Sequence, residues 1–313
     1  MPISGLSKEE INFSTANLLE KMLNSKFFSE ISIIEPICVF LHAYLFRKME
    51  LENFLNVGEY KLFYRLLKYS ENQDEPVLIF LHDSWGCVEM WENFPEKISE
   101  LFGLNALIYD RRGYGKSSPF APDPRTKYYL HQSADELINV MDELKIKKAM
   151  LYGHSDGGTI ALIAAALYPE RIQAVMVEGA HSFVEEKGKA AVRESRDKAL
   201  TNSLLQSLRK YHGEKTAELF RRWHEAWLGD FFADWTIVPI LKNIRCPVLA
   251  FRGENDPFDT IGQLHVLEKE ITAPVIAKVI PDAAHTPRKE NEEETMELIG
   301  HFLDKGLMRG KIC

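Results

Sequence analysis

The chain has 313 residues, 45% hydrophobic, 27% charged and 11% aromatic, with 18 Gly and 14 Pro. That balance fits one large α/β domain or two smaller ones, and it excludes disordered, collagen-like and low-complexity chains. The formal net charge of −8 argues against a nucleic-acid partner, because phosphate binding wants clustered Lys and Arg. Residues 1–50 read as an N-terminal helical extension, with Leu18, Leu19, Met22, Leu23 and Phe27 at helical spacing. The opening MPISGLSKEE lacks the features of a secretory signal. Ile31 to Phe46 is broken by Glu35, Pro36 and His42, too short and too polar for an integral membrane segment. Its aromatics before Arg47 and Lys48 also suit a membrane-surface helix, but packing on the domain is the simpler reading.

From Phe54 to Tyr69 the texture alternates around Val57-Gly58-Glu59, which predicts a hairpin. A repeating unit follows. Pro76–Leu81, Asn105–Tyr109, Ala149–Tyr152 and Ala174–Val177 are apolar runs of strand length. Between them lie helical patterns over Met90–Phe102, Leu130–Leu144 and Thr159–Tyr168, the last apolar on nearly all sides. Near-continuous apolar strands alternating with helices mean a parallel sheet covered on both faces. The alternation stops over residues 182–241, where one charged helix (Glu185–Tyr211) and one aromatic helix (Lys215–Leu228) are expected. It resumes with strands at Cys246–Phe251 and Ala277–Ile280 and a last helix at Glu293–Lys305. The domain reading is a core of 51–181 and 242–313 with a helical insertion over 182–241.

The sharpest motif is Gly153-His154-Ser155-Asp156-Gly157-Gly158, a G-x-S-x-G between a short strand and an apolar helix. A tight strand-to-helix turn lifts the serine hydroxyl above the sheet, and the flanking glycines leave room where a Cβ would collide. The helix start adds free N–H groups beside a developing oxyanion. A serine hydroxyl needs a base, and the base needs an orienting acid, in the chain order serine, acid, histidine for this turn type. Asp256 and His285 follow successive strands in that order, at the edge where Ser155 sits. Glu254, Asp259 and Glu178 are the rival acids, with Asp256 favoured. The loop His82-Asp83-Ser84-Trp85-Gly86 follows the first parallel strand, so the oxyanion donors fall to the backbone N–H of Asp156 and of Ser84 (or Asp83). His82 is a loop brace or a functional group, and the carboxylate of Asp156 is a helix-start charge.

These segments, with Asp110-Arg-Arg-Gly-Tyr-Gly-Lys-Ser117 and Ala284-His285, resemble the α/β-hydrolase superfamily from about Tyr60 to Phe302. Within it the chain resembles the serine-nucleophile branch with a helical cap between the sixth and seventh strands. The resemblance implies a mostly parallel eight-stranded sheet and a Ser155–His285–Asp256 triad. Two departures stand out: His-Asp replaces the usual His-Gly in the oxyanion loop, and Ser-Asp-Gly-Gly replaces the commoner Ser-Met-Gly-Gly. Serine at 155, where dehalogenases and epoxide hydrolases carry aspartate, argues against both, and the His-Gly-Gly-Pro loop of proline iminopeptidases is absent. Gly115-Lys116-Ser117 fails as a P-loop because Asp110 stands where its first glycine belongs.

No H-E-x-x-H occurs and the histidines form no ligand-like cluster, so no metal and no cofactor are expected. Cys38, Cys87, Cys246 and Cys313 form no C-x-x-C pair, which reads as a reducing, cytoplasmic setting. The insertion is crowded with Phe183, Tyr211, Phe220, Trp223, Trp227, Phe231, Phe232 and Trp235. Most should pack cap onto core, and two or three should line an apolar pocket. Trp85, His154, Phe183, Trp223 and Trp227 are the substrate-binding candidates, while His181, His212 and His224 read as structural. The expected function is a cofactor-independent serine hydrolase acting on a small-molecule ester or thioester with an apolar acyl or aryl group. The alternatives are a C–C bond hydrolase of ring-cleavage products, for which Arg193, Arg196 or Arg222 could meet a ketone, and a ligand-binding protein on the same scaffold. The first fifty residues fit a lid extension, a dimer arm in a homodimer, or a surface anchor.

Overall fold

The computed structural model describes residues 49–70, 75–199 and 203–304. The helical reading of residues 1–48 lies outside them, and Met49 and Glu50 open a strand rather than close a helix. Eight strands form one sheet: β1 (Met49–Val57), β2 (Tyr60–Lys68), β3 (Val77–Leu81), β4 (Ala106–Tyr109), β5 (Ala149–His154), β6 (Ile172–Glu178), β7 (Val248–Gly253) and β8 (Val275–Ile280). Their order is β1-β2-β4-β3-β5-β6-β7-β8. β2 runs antiparallel to both its neighbours and every other pairing is parallel.

The described helices are α1 (Phe94–Phe102), α2 (Tyr129–Glu143), α3 (Asp156–Leu167), α4 (Glu186–Ala199), α5 (Leu204–His212), α6 (Thr216–Leu228), α7 (Val238–Leu241), α8 (Gly262–Glu270), α9 (Pro287–Glu290) and α10 (Glu292–Leu303). The central strands are apolar throughout because both faces are covered. Ile79, Leu151 and Val175 pack with α2 and α3, while their chain neighbours Leu78, Phe80, Met150, Tyr152 and Met176 pack with α1 and α10. The period-two alternation of a strand thus feeds two cores. β1 is largely exposed and β8 partly so, as edge strands are.

The hairpin turns at Gly58-Glu59 as its sequence predicts. α3 starts at Asp156, three residues before the apolar run, because Gly157 and Gly158 are poor helix formers yet take helical geometry under the packing of β3. The single charged helix expected over 185–211 is described as two segments, α4 and α5. Between β6 and β7 the described residues hold no strand beyond one isolated Phe183–Thr236 bridge. Among the described residues no helix is long and apolar enough to cross a membrane. None of their His, Cys, Asp and Glu side chains gathers into a group that could hold a metal ion. Cys87 and Cys246 are free and buried.

Candidate active site

Ser155 stands between β5 and α3 with φ 54° and ψ −119°, a conformation that a non-glycine residue holds at a cost of roughly 1–3 kcal/mol. Two glycines make the turn sterically feasible. A Cβ on Gly157 would lie 2.0 Å from the Leu81 carbonyl oxygen, and one on Gly153 would lie 2.3 Å from the Gly157 carbonyl. α3 can therefore start directly against the end of β3, bringing Ser155 beside the His82–Gly86 loop.

Ser155 Oγ lies 3.0 Å from His285 Nε2, and His285 Nδ1 lies 3.0 Å from each carboxylate oxygen of Asp256. Asp256 is buried, accepts from the Phe258 N–H at 2.9 Å and pairs with Arg252 at 3.2 Å. Burial works to raise its pKa, but His285 and Arg252 outweigh it and hold the carboxyl well below the usual range. The carboxylate fixes the His285 hydrogen on Nδ1, so the bare Nε2 can accept the serine hydrogen. Burial lowers the His285 pKa, and Asp256 offsets part of that.

The His82–Gly86 loop is braced by side-chain hydrogen bonds. Asp83 Oδ1 accepts from the Trp85 N–H at 2.7 Å, and its Oδ2 lies 3.2 Å from His154 Nδ1. His154 Nε2 in turn lies 2.8 Å from the His285 carbonyl oxygen. Both His154 nitrogens therefore face acceptors and tie the His82–Gly86 loop to the His285 loop. The aspartate that departs from the usual glycine thus acts as a strut. His82 is a brace as well: its Nε2 accepts from the Arg111 N–H at 3.2 Å, and burial drives its pKa well down, keeping the ring neutral. Ser84 lines the site, and Asp156 provides the first N–H of α3, which has no carbonyl partner within the helix. The Asp156 side chain is fully buried with the Tyr129 hydroxyl at 3.3 Å.

A cavity of about 320 Å³ opens over Ser155. Of the substrate-binding candidates, Trp85, His154, Trp223 and Trp227 line it and Phe183 does not. Phe183 sits in the bridge with Thr236, its carbonyl accepting from Gln263 Nε2 at 3.0 Å, at the seam where the insertion leaves and rejoins the core. The cavity is completed by residues the sequence reading did not select, among them Met90, Val192, Phe258 and His181. Phe232 and Trp235 stack on one another within the main apolar cluster, where Phe232 also meets Tyr129 of α2. His212 is structural, linking the Gly115 N–H and the Trp85 carbonyl.

His181 departs from its structural reading. Its Nε2 lies 3.3 Å from Ser155 Oγ, and its Nδ1 makes a short hydrogen bond to Asp259. Of the rival acids, Asp259 thus serves a second imidazole, and Glu178 is buried against Arg288. The readable signal was placement: His181 follows the carboxyl end of β6, as Asp259 follows that of β7.

A sequence profile described as the alpha/beta hydrolase fold matches residues 76–291. The chain is 29% identical over 211 residues to a human (Homo sapiens) protein named serine hydrolase BPHL, covering 64% of this chain and 69% of that one. It is 35% identical over 109 residues to a Caballeronia sordidicola epoxide hydrolase, covering 35% and 32%. Its fold is similar to that of 2-hydroxy-6-oxo-6-phenylhexa-2,4-dienoate hydrolase from Rhodococcus sp. strain RHA1, at TM-score 0.68 and 14% identity, covering 81% of this chain and 98% of that one.

Proposed function

The chain belongs to the α/β hydrolase fold family, and from that premise we propose that it is a serine hydrolase cleaving an ester or thioester with an apolar acyl or aryl group. Ser155 attacks the carbonyl carbon while His285 takes the hydroxyl hydrogen and Asp256 keeps its Nδ1–H in place. The N–H groups of Ser84 and Asp156 receive the oxyanion, and His285 returns the proton to the leaving group. Water activated by His285 then cleaves the acyl-enzyme. The observation that carries this reading is the unbroken series from Ser155 Oγ through His285 to Asp256, each link 3.0 Å, with Ser155 opening on the cavity.

Two further features support it. The cavity wall is mostly apolar, with Trp85, Met90, Val192, Trp223 and Trp227 around the candidate nucleophile, which suits an acyl or aryl group. An epoxide hydrolase stands among the relatives, but the residue at the elbow here is serine. Of the arginines that the sequence offered for the ketone of a C–C bond hydrolase substrate, Arg193, Arg196 and Arg222, none lines the cavity. Arg222 is occupied by Glu218 and by the carbonyls of Ala121 and Asp123. The cytoplasmic setting is part of the same proposal.

Hydrolysis of p-nitrophenyl esters of graded acyl length, wild type beside Ser155→Ala, tests the reading. The expected result is a chain-length optimum and a loss of about 10⁴-fold or more in the variant. Equal rates would remove Ser155 as the nucleophile. Labelling of Ser155 by a fluorophosphonate without turnover of any ester would move the reading to the C–C hydrolase. Neither rate nor label would leave a ligand-binding protein.

A further inference from the structure

Ser155 Oγ has two imidazoles within hydrogen-bond reach, and a hydroxyl has one hydrogen to give. His285 Nε2 at 3.0 Å takes it, since Asp256 holds the hydrogen of that ring on Nδ1. His181 Nδ1 is likewise committed to Asp259. Its Nε2, 3.3 Å from the same oxygen, satisfies that contact only by carrying a hydrogen of its own. The geometry therefore asks for an imidazolium at 181 beside a neutral imidazole at 285.

The surroundings agree. The groups facing His181 are Asp259 in the loop after β7, Asp156 at the head of α3, Arg252 at the end of β7, and His285, its ring centroid 6.2 Å away. Burial works against a charged ring, but Asp259 outweighs it and raises the His181 pKa, while burial lowers that of His285. The ring is held rather than loose. The His181 N–H donates to Thr159 Oγ1 and the Thr159 hydroxyl donates back to the His181 carbonyl, both at 3.0 Å. Trp227 packs edge-on at 4.8 Å. Arg252 contacts both carboxylates, 3.2 Å from Asp256 and 3.4 Å from Asp259, so the two His–Asp pairs share one buried cation.

We propose that His181, held by Asp259, is a second catalytic histidine, the acid of the deacylation step: its Nε2 hydrogen goes to Ser155 Oγ as the acyl–oxygen bond breaks. This rests on the acyl-enzyme reading above. In acylation Oγ attacks and needs a base, which His285 supplies. In deacylation Oγ is the leaving group and needs a donor, and His181 already points one at it. Water adds to the acyl carbon and gives a proton to His285. The carbon–Oγ bond then breaks, its electron pair stays on Oγ, and Oγ takes the His181 proton. The products are a carboxylic acid, a free serine, a protonated His285 and a neutral His181. The cycle closes when His285 returns its proton to His181 through solvent.

Stopped-flow hydrolysis of a p-nitrophenyl ester by wild type, His181→Gln and Asp259→Asn reads the two half-reactions separately. In His181→Gln the burst of p-nitrophenolate keeps its rate within about threefold while the steady-state rate falls about 10²-fold, the usual reach of one acid–base group. Acyl-enzyme then accumulates and intact-mass measurement finds it on the protein. In wild type the steady-state rate falls on the alkaline side as His181 loses its proton. That limb moves to lower pH in Asp259→Asn, because the carboxylate that raised the His181 pKa is gone, and it is absent in His181→Gln. Fluorophosphonate labelling of Ser155 at the wild-type rate shows that each variant site is folded. Burst and steady-state rates that fall together, or neither falling, overturn the proposal. A wild type that no ester acylates at Ser155 overturns the serine-hydrolase reading itself, and this inference with it.

Discussion

Asp256 and Asp259 lie three residues apart in one loop, both buried and both within reach of Arg252, yet each holds a different imidazole. Asp259 is committed to His181 and cannot stand in for its neighbour. Asp256→Asn should therefore cost about 10³–10⁴-fold in kcat, because the amide no longer fixes the His285 hydrogen on Nδ1. The pH profile adds a sign. Burial lowers the His285 pKa, so the acid limb of wild-type kcat/KM should lie below the ordinary histidine value of about 6.5. Asp256 opposes that lowering, so its loss should move the limb further down. A rate within tenfold of wild type, or a limb displaced upward, would mean that Asp256 does not orient the base. The alignment of Ser155, Asp256 and His285 was legible because each closes an apolar strand, and strand ends are readable from hydrophobic pattern. For His181 only the placement after β6 was legible, because the approach of the β6 end to the loop after β7, which brings it to Ser155, has no counterpart in spacing along the chain.

The end of β6 and the start of α9 are joined by Glu178 and Arg288, and this junction sets where His285 can lie. Arg288 Nη1 donates to Glu178 at 2.5 Å and its N–H donates to the other carboxylate oxygen at 2.8 Å, while the Tyr152 hydroxyl adds a third bond at 3.1 Å. The guanidinium lies over the Trp91 ring at 4.5 Å. Burial works to raise the Glu178 pKa, but Arg288 outweighs it, so the carboxylate stays ionised. Arg288→Met keeps an apolar stem but removes the guanidinium from over Trp91 and strands a buried charge, which costs about 3–5 kcal/mol. Urea unfolding of the variant should show that loss at neutral pH, together with weaker hydrolase activity, since Arg288 follows His285 by three residues. A change under 1 kcal/mol would show that water reaches Glu178. At this scale the sequence exposed the strands and helices of the sheet through their periodicity. The helical pattern itself was readable only from Thr159, because Gly157 and Gly158 look like loop and are held in the helix by the closeness of β3.

At the scale of the molecule, the cavity exists only where the sheet edge meets the insertion over 182–241, and the insertion shapes it with fewer residues than its aromatic content suggests. The sequence marked eight large aromatics, but burial alone could not sort them, since a ring packing the cap and a ring facing substrate are equally apolar. Trp223 and Trp227 face the cavity, Phe232 and Trp235 face each other, and Phe231 is 44% exposed. The strongly charged helix α4 was an unpromising place to look for a wall. Of its fourteen residues only Gly188, Val192 and Ala199 are buried, and the first two line the cavity. Val192 packs in the main apolar cluster at 2% exposure and also lines the cavity, so its side chain is placed to limit the depth open to an acyl chain. Val192→Phe should reject the longer p-nitrophenyl acyl esters by roughly tenfold or more relative to acetate, since one methylene in such a pocket is worth about 1–3 kcal/mol. Val192→Ala should shift the optimum towards longer chains, and Ser155 labelling by a small fluorophosphonate should proceed in both variants as in wild type. Opposite shifts in the ratio of kcat/KM for long and short esters would place the acyl group under α4. An unchanged profile in both variants would put the acyl chain elsewhere, against the Trp85 wall.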